Sequence, residues 1–195
     1  MRKAKVKRRT GETRVAVELD IDGSGNARIK YPIGFLGHML ELLAHHALFD
    51  LTLEASGDLH VDQHHLVEDT GIVLGQAVGK ALGNKSGIRR YGWAVVPMDE
   101  ALALAAVDIS ARPVAKIEYE HRKRTVGDFS AELVVDFFQA VAANLVANIH
   151  VRLLSGRSEH HKIEAIFKAF ARALRQACEL EPRLRGKVPS TKGKL

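Results

Sequence analysis

The chain repeats one short motif at a fixed distance, and this repeat restricts the folds that the chain can adopt. The pattern His-His-x-x-Glu occurs as "HHLVED" at residues 64–69 and again as "HHKIEA" at residues 160–165. Each copy begins a segment with helical spacing of apolar residues. Before each copy lie a helix-like segment and an alternating strand, "HMLELLAHHALF" with "DLTLEASG" and "VDFFQAVAANLV" with "NIHVRLLSG". The same elements in the same order predict an internal duplication.

Each predicted half also begins with strand-like sequence. Residues 13–31 carry a turn at 22–26, and residues 101–110 and 113–120 flank a turn near Ala111 and Arg112. A few antiparallel strands with two helices on one face define an α+β class. We expect a two-half α+β sandwich, with residues 1–95 and 96–195 as the halves of one compact body.

The positive charge of the chain is concentrated in its two ends. Residues 1–9 hold six basic residues and residues 183–195 hold five, and neither segment contains an acidic residue. The rest of the chain therefore has 18 basic and 23 acidic residues. We expect solvated basic tails and no nucleic-acid partner. The longest apolar stretch contains Asp136 and three amides, so no membrane span is expected. A lone cysteine, Cys178, fits a reducing interior, and we expect a cytoplasmic protein.

Helical spacing places the first histidine of each motif on the same face as the glutamate and the second histidine on another face. Residues i and i+4 share a face of a helix, whereas residue i+1 points about 100° away. His64 and Glu68 can therefore bind one cation, while His65 points elsewhere, and the second copy repeats this geometry. The second histidine of each motif, His65 or His161, is the odd histidine of that copy. We expect two metal sites, each completed by the odd histidine of the other copy. Their members are His64, Glu68 and His161 for one ion, and His160, Glu164 and His65 for the other.

A further ligand for each site is suggested by "GFLGHML" at residues 34–40. Alignment of the two halves places His38 opposite Asp136, and both residue types can bind a metal. We expect His38 to join His64 and Glu68, and Asp136 to join the second set. Imidazole and carboxylate ligands without thiolate suit a borderline divalent ion such as manganese, iron or zinc. Without the duplication, a histidine in the first turn of a helix would be assigned no role.

Several residues could bind a phosphate group. Segment 187–195 combines hydroxyls, lysines and glycine in "KVPSTKGKL", and such a segment can surround a phosphate. Arginines at element boundaries and a lysine one turn after Glu164 could also reach a phosphorylated substrate. Each is more often a solvated surface charge. The candidates are Arg90, Arg112, Lys168, Ser190, Thr191 and Lys192.

Five motifs together resemble a known family. In order and spacing, "GFLGHML", "HHLVED", "PMDEAL", "HHKIEAIFKAFARALR" and "PSTKGKL" resemble the imidazoleglycerol-phosphate dehydratases of histidine biosynthesis, from about Arg9 to Leu195. The resemblance implies a ribosomal-S5-domain-2-like fold and two manganese ions per active site. It also implies sites between the subunits of a 24-subunit homo-oligomer. The implied reaction is that of a hydro-lyase, which removes water from imidazole glycerol phosphate and gives imidazole acetol phosphate.

The resemblance also implies residue roles. Glu12 matches a glutamate that contacts the substrate and is the candidate for proton transfer. Together with three ligands, His38, Glu68 and Glu164, it forms the expected catalytic set. The family's ligand positions fall on His38, His64, His65, Glu68, His160, His161 and Glu164. The positions that hold the substrate, mainly its phosphate, fall on Arg90, Arg112, Lys168, Ser190 and Lys192.

The chain departs from the family pattern at a few positions. Gly37 stands where aspartate is usual, Tyr31 and Pro32 replace Thr-Gly, Asp136 replaces a common histidine, and Ser158 replaces a frequent asparagine. Loss of the aspartate could remove a contact that orients His38. Two other functional classes remain open on the residues alone: a nucleic-acid-binding module, favoured by the basic ends, and a metal-dependent structural assembly without catalysis.

Overall fold

Two four-stranded sheets enclose four helices in the computed structural model, which describes residues 1–193. The first half contains β1 (Lys3–Arg9), β2 (Thr13–Asp20), β3 (Ala27–Lys30), α1 (Gly34–Ala47), β4 (Asp50–Gly57) and α2 (His64–Leu82). The second half contains β5 (Tyr91–Met98), β6 (Ala101–Asp108), β7 (Val114–Glu118), a small hairpin of β8 (Thr125–Val126) and β9 (Phe129–Ser130), α3 (Leu133–Leu145), β10 (Asn148–Ser155) and α4 (Glu159–Cys178). A short 3-10 helix, Pro182–Leu184, follows.

The two large sheets have the same topology. Their strand orders are β1-β2-β4-β3 and β5-β6-β10-β7. In each sheet the last two strands are parallel and the other pairs are antiparallel. This confirms the predicted duplication and the α+β class. The helices lie between the sheets, where α2 packs on α3 and α1 packs on α4.

Helices α2 and α3 approach each other closely because two glycines of α2 face α3. A Cβ atom on Gly75 would lie 2.7 Å from the carbonyl oxygen of Val141, and one on Gly71 would lie 2.7 Å from that of Phe137. Neither distance is compatible with a side chain. The backbones of the two helices therefore touch, and this contact determines where the first turn of α2 lies relative to the first turn of α3.

The N-terminal basic segment is a strand, and the prediction of a solvated tail there was wrong. Residues 3–9 pair with β2, and Val6 is buried beneath α2. Arg8 donates from Nε to the buried carboxylate of Asp69 at 2.7 Å. The segment "KAKVKRR" has the alternating pattern of a strand, in which every second side chain faces solvent. The pattern was overlooked because most of these residues are charged.

Two further expectations about the strands need correction. The division at residues 95 and 96 would cut β5, and the second sheet in fact begins at Tyr91. The turn at 22–26 does not form a hairpin, because β2 and β3 lie on opposite sides of β4. Among residues 1–193, no helix has the length and apolar character that crossing a membrane requires.

Alanine substitutions at two glycines of α2 should have opposite effects on stability. Gly75→Ala places a methyl group against the backbone of α3, and we expect a loss of about 1–3 kcal/mol in the free energy of unfolding. Gly79→Ala is the matched control, because a Cβ there has its nearest neighbour at 3.9 Å. Alanine favours the helix, so this variant should gain up to about 1 kcal/mol. Denaturant unfolding measures both, and equal effects would contradict the close contact.

Candidate metal centre

The first turns of the helices meet around the β8–β9 hairpin. The carboxylate of Asp128, between the two strands, accepts hydrogen bonds from the backbone N–H groups of Gly34 at 2.6 Å and Phe35 at 3.0 Å. The Phe35 ring stacks on Phe129, with centroids 5.9 Å apart, and meets the His160 ring edge-to-face at 5.1 Å. Gln63, just before α2, accepts from the backbone N–H of Ser130 at 3.0 Å. The residues that carry the repeated motif are thus brought together.

One group of candidate ligands joins α2 to α3. His64 Nε2 lies 3.9 Å from Glu68 Oε2, which confirms the predicted i, i+4 geometry. His64 Nδ1 lies 3.9 Å from Asp136 Oδ2. The two carboxylates therefore flank opposite nitrogens of the same imidazole ring. All three side chains are partly exposed, so the group is open to solvent.

The second group joins α4 to α1. His160 Nε2 lies 3.2 Å from Glu164 Oε2, and Lys168 Nζ lies 2.6 Å from Glu164 Oε1. Burial alone would raise the pKa of Glu164, whose side chain is 8% exposed. The hydrogen bond from Lys168 and the positive charges of Lys168, His160 and His38 outweigh burial and lower this pKa. Glu164 is consequently ionised at neutral pH, and the charge of His38 contributes to its lowered pKa.

Within the single chain, Asp136 lies beside the first group and not beside the second. We expected each residue to join the ligands of its own half. Instead Asp136 faces His64 at 3.9 Å, whereas the carboxylate nearest to His38 is that of Glu41, at 3.7 Å. The reason is the layer order: α2 packs on α3 and α1 on α4, so each helix meets a helix of the other half. Sequence alignment of the halves cannot reveal this contact.

The odd histidines point away from both groups, as the helical spacing predicts. His65 Nδ1 lies 3.2 Å from Asp58 Oδ2 and 3.9 Å from Glu12 Oε2. His161 Nδ1 lies 2.7 Å from Glu100 Oε2, and its Nε2 lies 3.7 Å from Asp99 Oδ2. The hydrogen bond to Asp58 raises the pKa of His65, and the hydrogen bond to Glu100 raises that of His161. The same contact lowers the pKa of Glu100 to about 2.

The odd histidines do not complete the opposite sites within one chain. Within residues 1–193, one set of three or more potential ligands has its donor atoms within 4.8 Å of one another. That set consists of Glu12, Asp58 and His65. The two crossed sets predicted above are therefore not assembled by a single copy of the chain.

The predicted phosphate-binding residues are dispersed in the structure. Arg90 makes a two-point ion pair with Asp108, at 2.7 and 3.3 Å, and donates to the carbonyl of Pro189 at 3.0 Å. Arg90 thereby holds the C-terminal segment beside Ser190. Arg112, Thr191 and Lys192 are exposed. Lys168 is bound to Glu164. The last two residues of the predicted 187–195 segment lie outside the described residues.

Sequence reasoning missed the carboxylates that hold the odd histidines. Asp58 follows β4, while Asp99 and Glu100 form the β5–β6 turn. Their contacts depend on strands and helices that are distant in sequence. Asp99 and Glu100 do occur in the motif "PMDEAL", which was the available signal, but their spacing from His161 predicts no contact.

The sequence of residues 32–174 matches a family model of dehydratases, which are hydro-lyases. The matching family model is described as imidazoleglycerol-phosphate dehydratase. The imidazoleglycerol-phosphate dehydratase of Methylorubrum populi is 54% identical over 195 residues and that of Geobacter metallireducens is 56% identical over 194 residues. The alignments cover 100% of this chain, and 100% and 99% of the relatives.

Solved structures agree with the sequence relatives. The crystal structure of imidazoleglycerol-phosphate dehydratase from Staphylococcus aureus has a TM-score of 0.83 at 39% identity, covering 92% of this chain and 99% of that one. The Pyrococcus furiosus structure, in complex with (S)-C348, has a TM-score of 0.82 at 38% identity, covering 97% and 100%. The chain belongs to the imidazoleglycerol-phosphate dehydratase family, and its function is that of a dehydratase of histidine biosynthesis.

The capping contact of Asp128 should give a pH-dependent contribution to stability. Burial alone would raise the pKa of Asp128, but the hydrogen bonds from Phe35 and Gly34 outweigh it and lower the pKa. The contribution is therefore complete above the unfolded pKa of about 3.9 and is lost as the pH falls through the lower folded value. Asp128→Asn should cost about 0.5–1 kcal/mol at neutral pH, as expected for a charged group at a helix N-terminus.

Urea unfolding at several pH values measures this difference. The cost of Asp128→Asn should shrink below pH about 4. Glu18→Gln is the control, because its ion pair with Lys5 is solvent-exposed and should contribute little. A cost that is independent of pH would contradict a role for the charge.

Proposed function

We propose that the chain dehydrates imidazole glycerol phosphate to imidazole acetol phosphate in the cytoplasm, with two manganese ions per active site and sites completed between subunits. The observation that carries this proposal is the pair of matched groups, His64–Glu68 beside Asp136, and His160–Glu164. Each contains an imidazole and a carboxylate one helical turn apart. The two lie at the N-terminal turns of α2 and α4.

The donor atoms of these groups suit a divalent transition metal. Nitrogen and carboxylate oxygen bind such ions at about 2.0–2.2 Å, so two ligands of one ion lie roughly 3–4 Å apart. The separations of 3.9 Å for His64–Glu68 and 3.2 Å for His160–Glu164 fall in this range. Nitrogen and oxygen donors without sulfur favour ions such as manganese. A bound ion supplies positive charge that offsets negative charge developing on the substrate.

The carboxylates beside the odd histidines support a role for these rings as ligands. Asp58 and Glu100 each contact a ring Nδ1, so Nε2 is the nitrogen that would bind a metal, in His161 beside the exposed carboxylate of Asp99. A carboxylate on the far nitrogen is the usual way in which metal-binding histidines are oriented. His65 and His161 therefore hold the proton at Nδ1 and direct Nε2 outward. They would complete sites of neighbouring subunits.

The remaining residues of the site bind and orient the substrate. Glu12 is largely exposed beside His65, where its carboxylate can reach a bound substrate and accept a carbon-bound proton. Lys168 keeps Glu164 ionised and adds positive charge near the second group. Arg90 keeps the C-terminal segment in place, so that Ser190, Thr191 and Lys192 can contact the substrate phosphate. Arg112 is the exposed arginine expected to reach the same phosphate.

The outer face of the second sheet supports association with further copies of the chain. Tyr91, Trp93 and Val95 project from edge strand β5 and are 51%, 65% and 51% exposed. Leu102, Leu104 and Ala106 lie beside them on β6. The corresponding face of β1 carries Lys3, Lys5 and Lys7, so the fold itself does not require an apolar face. A patch of this kind marks an interaction surface.

A second copy of the chain is the partner that fits this face, because the ligand groups are incomplete without one. Within the described residues, neither group has enough ligands close together to hold an ion by itself. The odd histidines point away from both groups. Closed homo-oligomers build such shared sites by repeating one contact. The resemblance to the family predicts 24 subunits.

Removing an odd histidine should affect metal content and assembly together. We expect His65→Ala to lose manganese, to form smaller species and to lose dehydration of imidazole glycerol phosphate, because one ligand of a shared site is missing. Metal analysis, light scattering after gel filtration and an assay of the ketone product measure the three effects. His45→Ala, on the exposed face of α1, is the control. Full metal content and intact assembly in His65→Ala would refute shared sites.

Dehydration should require the metal in the parent protein. We expect chelation to abolish product formation and manganese to restore it, because the proposed reaction depends on charge that the protein groups do not supply. The same rate in metal-free protein would refute the proposed mechanism while leaving the family assignment intact.

A charge on the apolar face should weaken assembly. We expect Trp93→Lys to give smaller species at unchanged helix content, because a lysine would be buried without a partner at the interface. Lys5→Ala, on the outward face of the corresponding edge strand, should leave the assembly unchanged. Light scattering measures the mass and circular dichroism the helix content. An unchanged mass for Trp93→Lys would place the interface elsewhere.

A further inference from the structure

The hydroxyl of Tyr31 holds the turn of α2 that carries Glu68. Tyr31 Oη lies 3.0 Å from Thr70 Oγ1 and 3.3 Å from the carbonyl oxygen of Leu66. Thr70 Oγ1 also donates to the Leu66 carbonyl at 2.7 Å. Burial raises the pKa of Tyr31, so the phenol stays protonated and can donate. Three groups thus share one hydrogen-bonded cluster that spans residues 66–70.

The same turn is also held from a second direction. Asp69, the residue after Glu68, accepts from Arg8 Nε at 2.7 Å and from the Thr13 hydroxyl. Strands β1 and β2 therefore hold one side of the turn, and the β3–α1 connection holds another through Tyr31. Contacts from two directions restrict rotation of α2 about its axis. Rotation is the motion that would turn Glu68 and His64 away from a shared ion.

Tyr31 also occupies the space beside Gly37, the residue before His38. A Cβ atom on Gly37 would lie 3.4 Å from Tyr31 Cβ and 3.9 Å from Ile29 Cγ2. A methyl group therefore fits at position 37. A longer side chain would compete for space with Tyr31, because Tyr31 Cβ is the nearest atom to the added Cβ. Gly37 and Tyr31 are consequently neighbours, and the size of the side chain at one position limits what fits at the other.

We infer that Tyr31 is a positioning residue for the α2 ligands His64 and Glu68, and that Gly37 is the small residue that its position requires. Tyr31 reaches α2 from the chain segment that leads into α1, so one side chain sets α2 relative to the helix that carries His38. The chain then has glycine rather than aspartate before His38 because tyrosine occupies position 31. This inference rests on the proposed metal function.

Tyr31→Phe tests the positioning role, because it removes only the hydroxyl. We expect manganese affinity to fall about 10-fold, as for other contacts that orient ligands, with a fall of only a few degrees in the melting temperature of the metal-free protein. Equilibrium dialysis of the assembled protein with manganese measures the affinity. Glu18→Gln, whose ion pair with Lys5 is solvent-exposed, should change neither quantity. An unchanged affinity in Tyr31→Phe, with or without a lower melting temperature, would overturn the positioning role.

Substitutions at Gly37 test the steric partnership. We expect Gly37→Ala to bind manganese as the parent does, and Gly37→Asp to lower both the affinity and the melting temperature by displacing Tyr31. Shortening the tyrosine should make room, so Tyr31→Thr combined with Gly37→Asp should bind more tightly than Gly37→Asp alone. Additive losses in this double variant would overturn the partnership.

Metal binding by the parent separates this inference from the proposed function. A parent that binds no manganese would refute the proposed function and, with it, the positioning role. A parent that binds manganese, together with a Tyr31→Phe variant that binds equally well, would refute the inference alone. The steric partnership has a separate measure in the melting temperatures of the metal-free variants.

Discussion

The direct backbone contact between α2 and α3 determines where the candidate ligands lie. Gly71 and Gly75 allow the two helices to touch, and the sheets cover the outside of both helix pairs. Helix α1 packs on α4 in the same arrangement. Asp136 of the second half therefore reaches His64 of the first half, which neither copy of the duplicated unit could achieve alone. The duplication supplies the parts, but the contact between the halves creates the chemistry.

Carboxylates from loops that do not correspond contact the odd histidines of the two halves. Asp58 contacts His65 and Glu100 contacts His161, each at Nδ1. The two copies thus orient an imidazole in the same way with acids from different loops. One feature breaks the symmetry, because only three residues separate β3 from α1, whereas the β8–β9 hairpin lies between β7 and α3. Asp128 of this hairpin caps α1 of the first half, so the second half stabilises the region that carries His38.

The local parts of the site could be predicted from the sequence, while the long-range parts could not. The i, i+4 pairs and the outward direction of His65 and His161 follow from helix geometry, which depends on neighbours in the chain. The contact of Asp136 with His64 depends on which helices pack together. Strand β1 was missed because most of its side chains are charged, so the one buried valine, Val6, gave too weak a pattern. Gly37 and Tyr31 were both visible as departures from the family pattern, but the contact between them was visible only in the structure.

The sequence by itself determined the duplication, the α+β class, the membership of a dehydratase family and the residue types of the candidate centre. Periodicity and repeated motifs encode these features because they reflect interactions within one helix or strand. Only the tertiary structure decided which ligands share a group, which carboxylates orient them and which face of the second sheet is apolar. These features depend on contacts between segments up to about a hundred residues apart, and helix-on-helix packing, rather than spacing along the chain, sets such contacts.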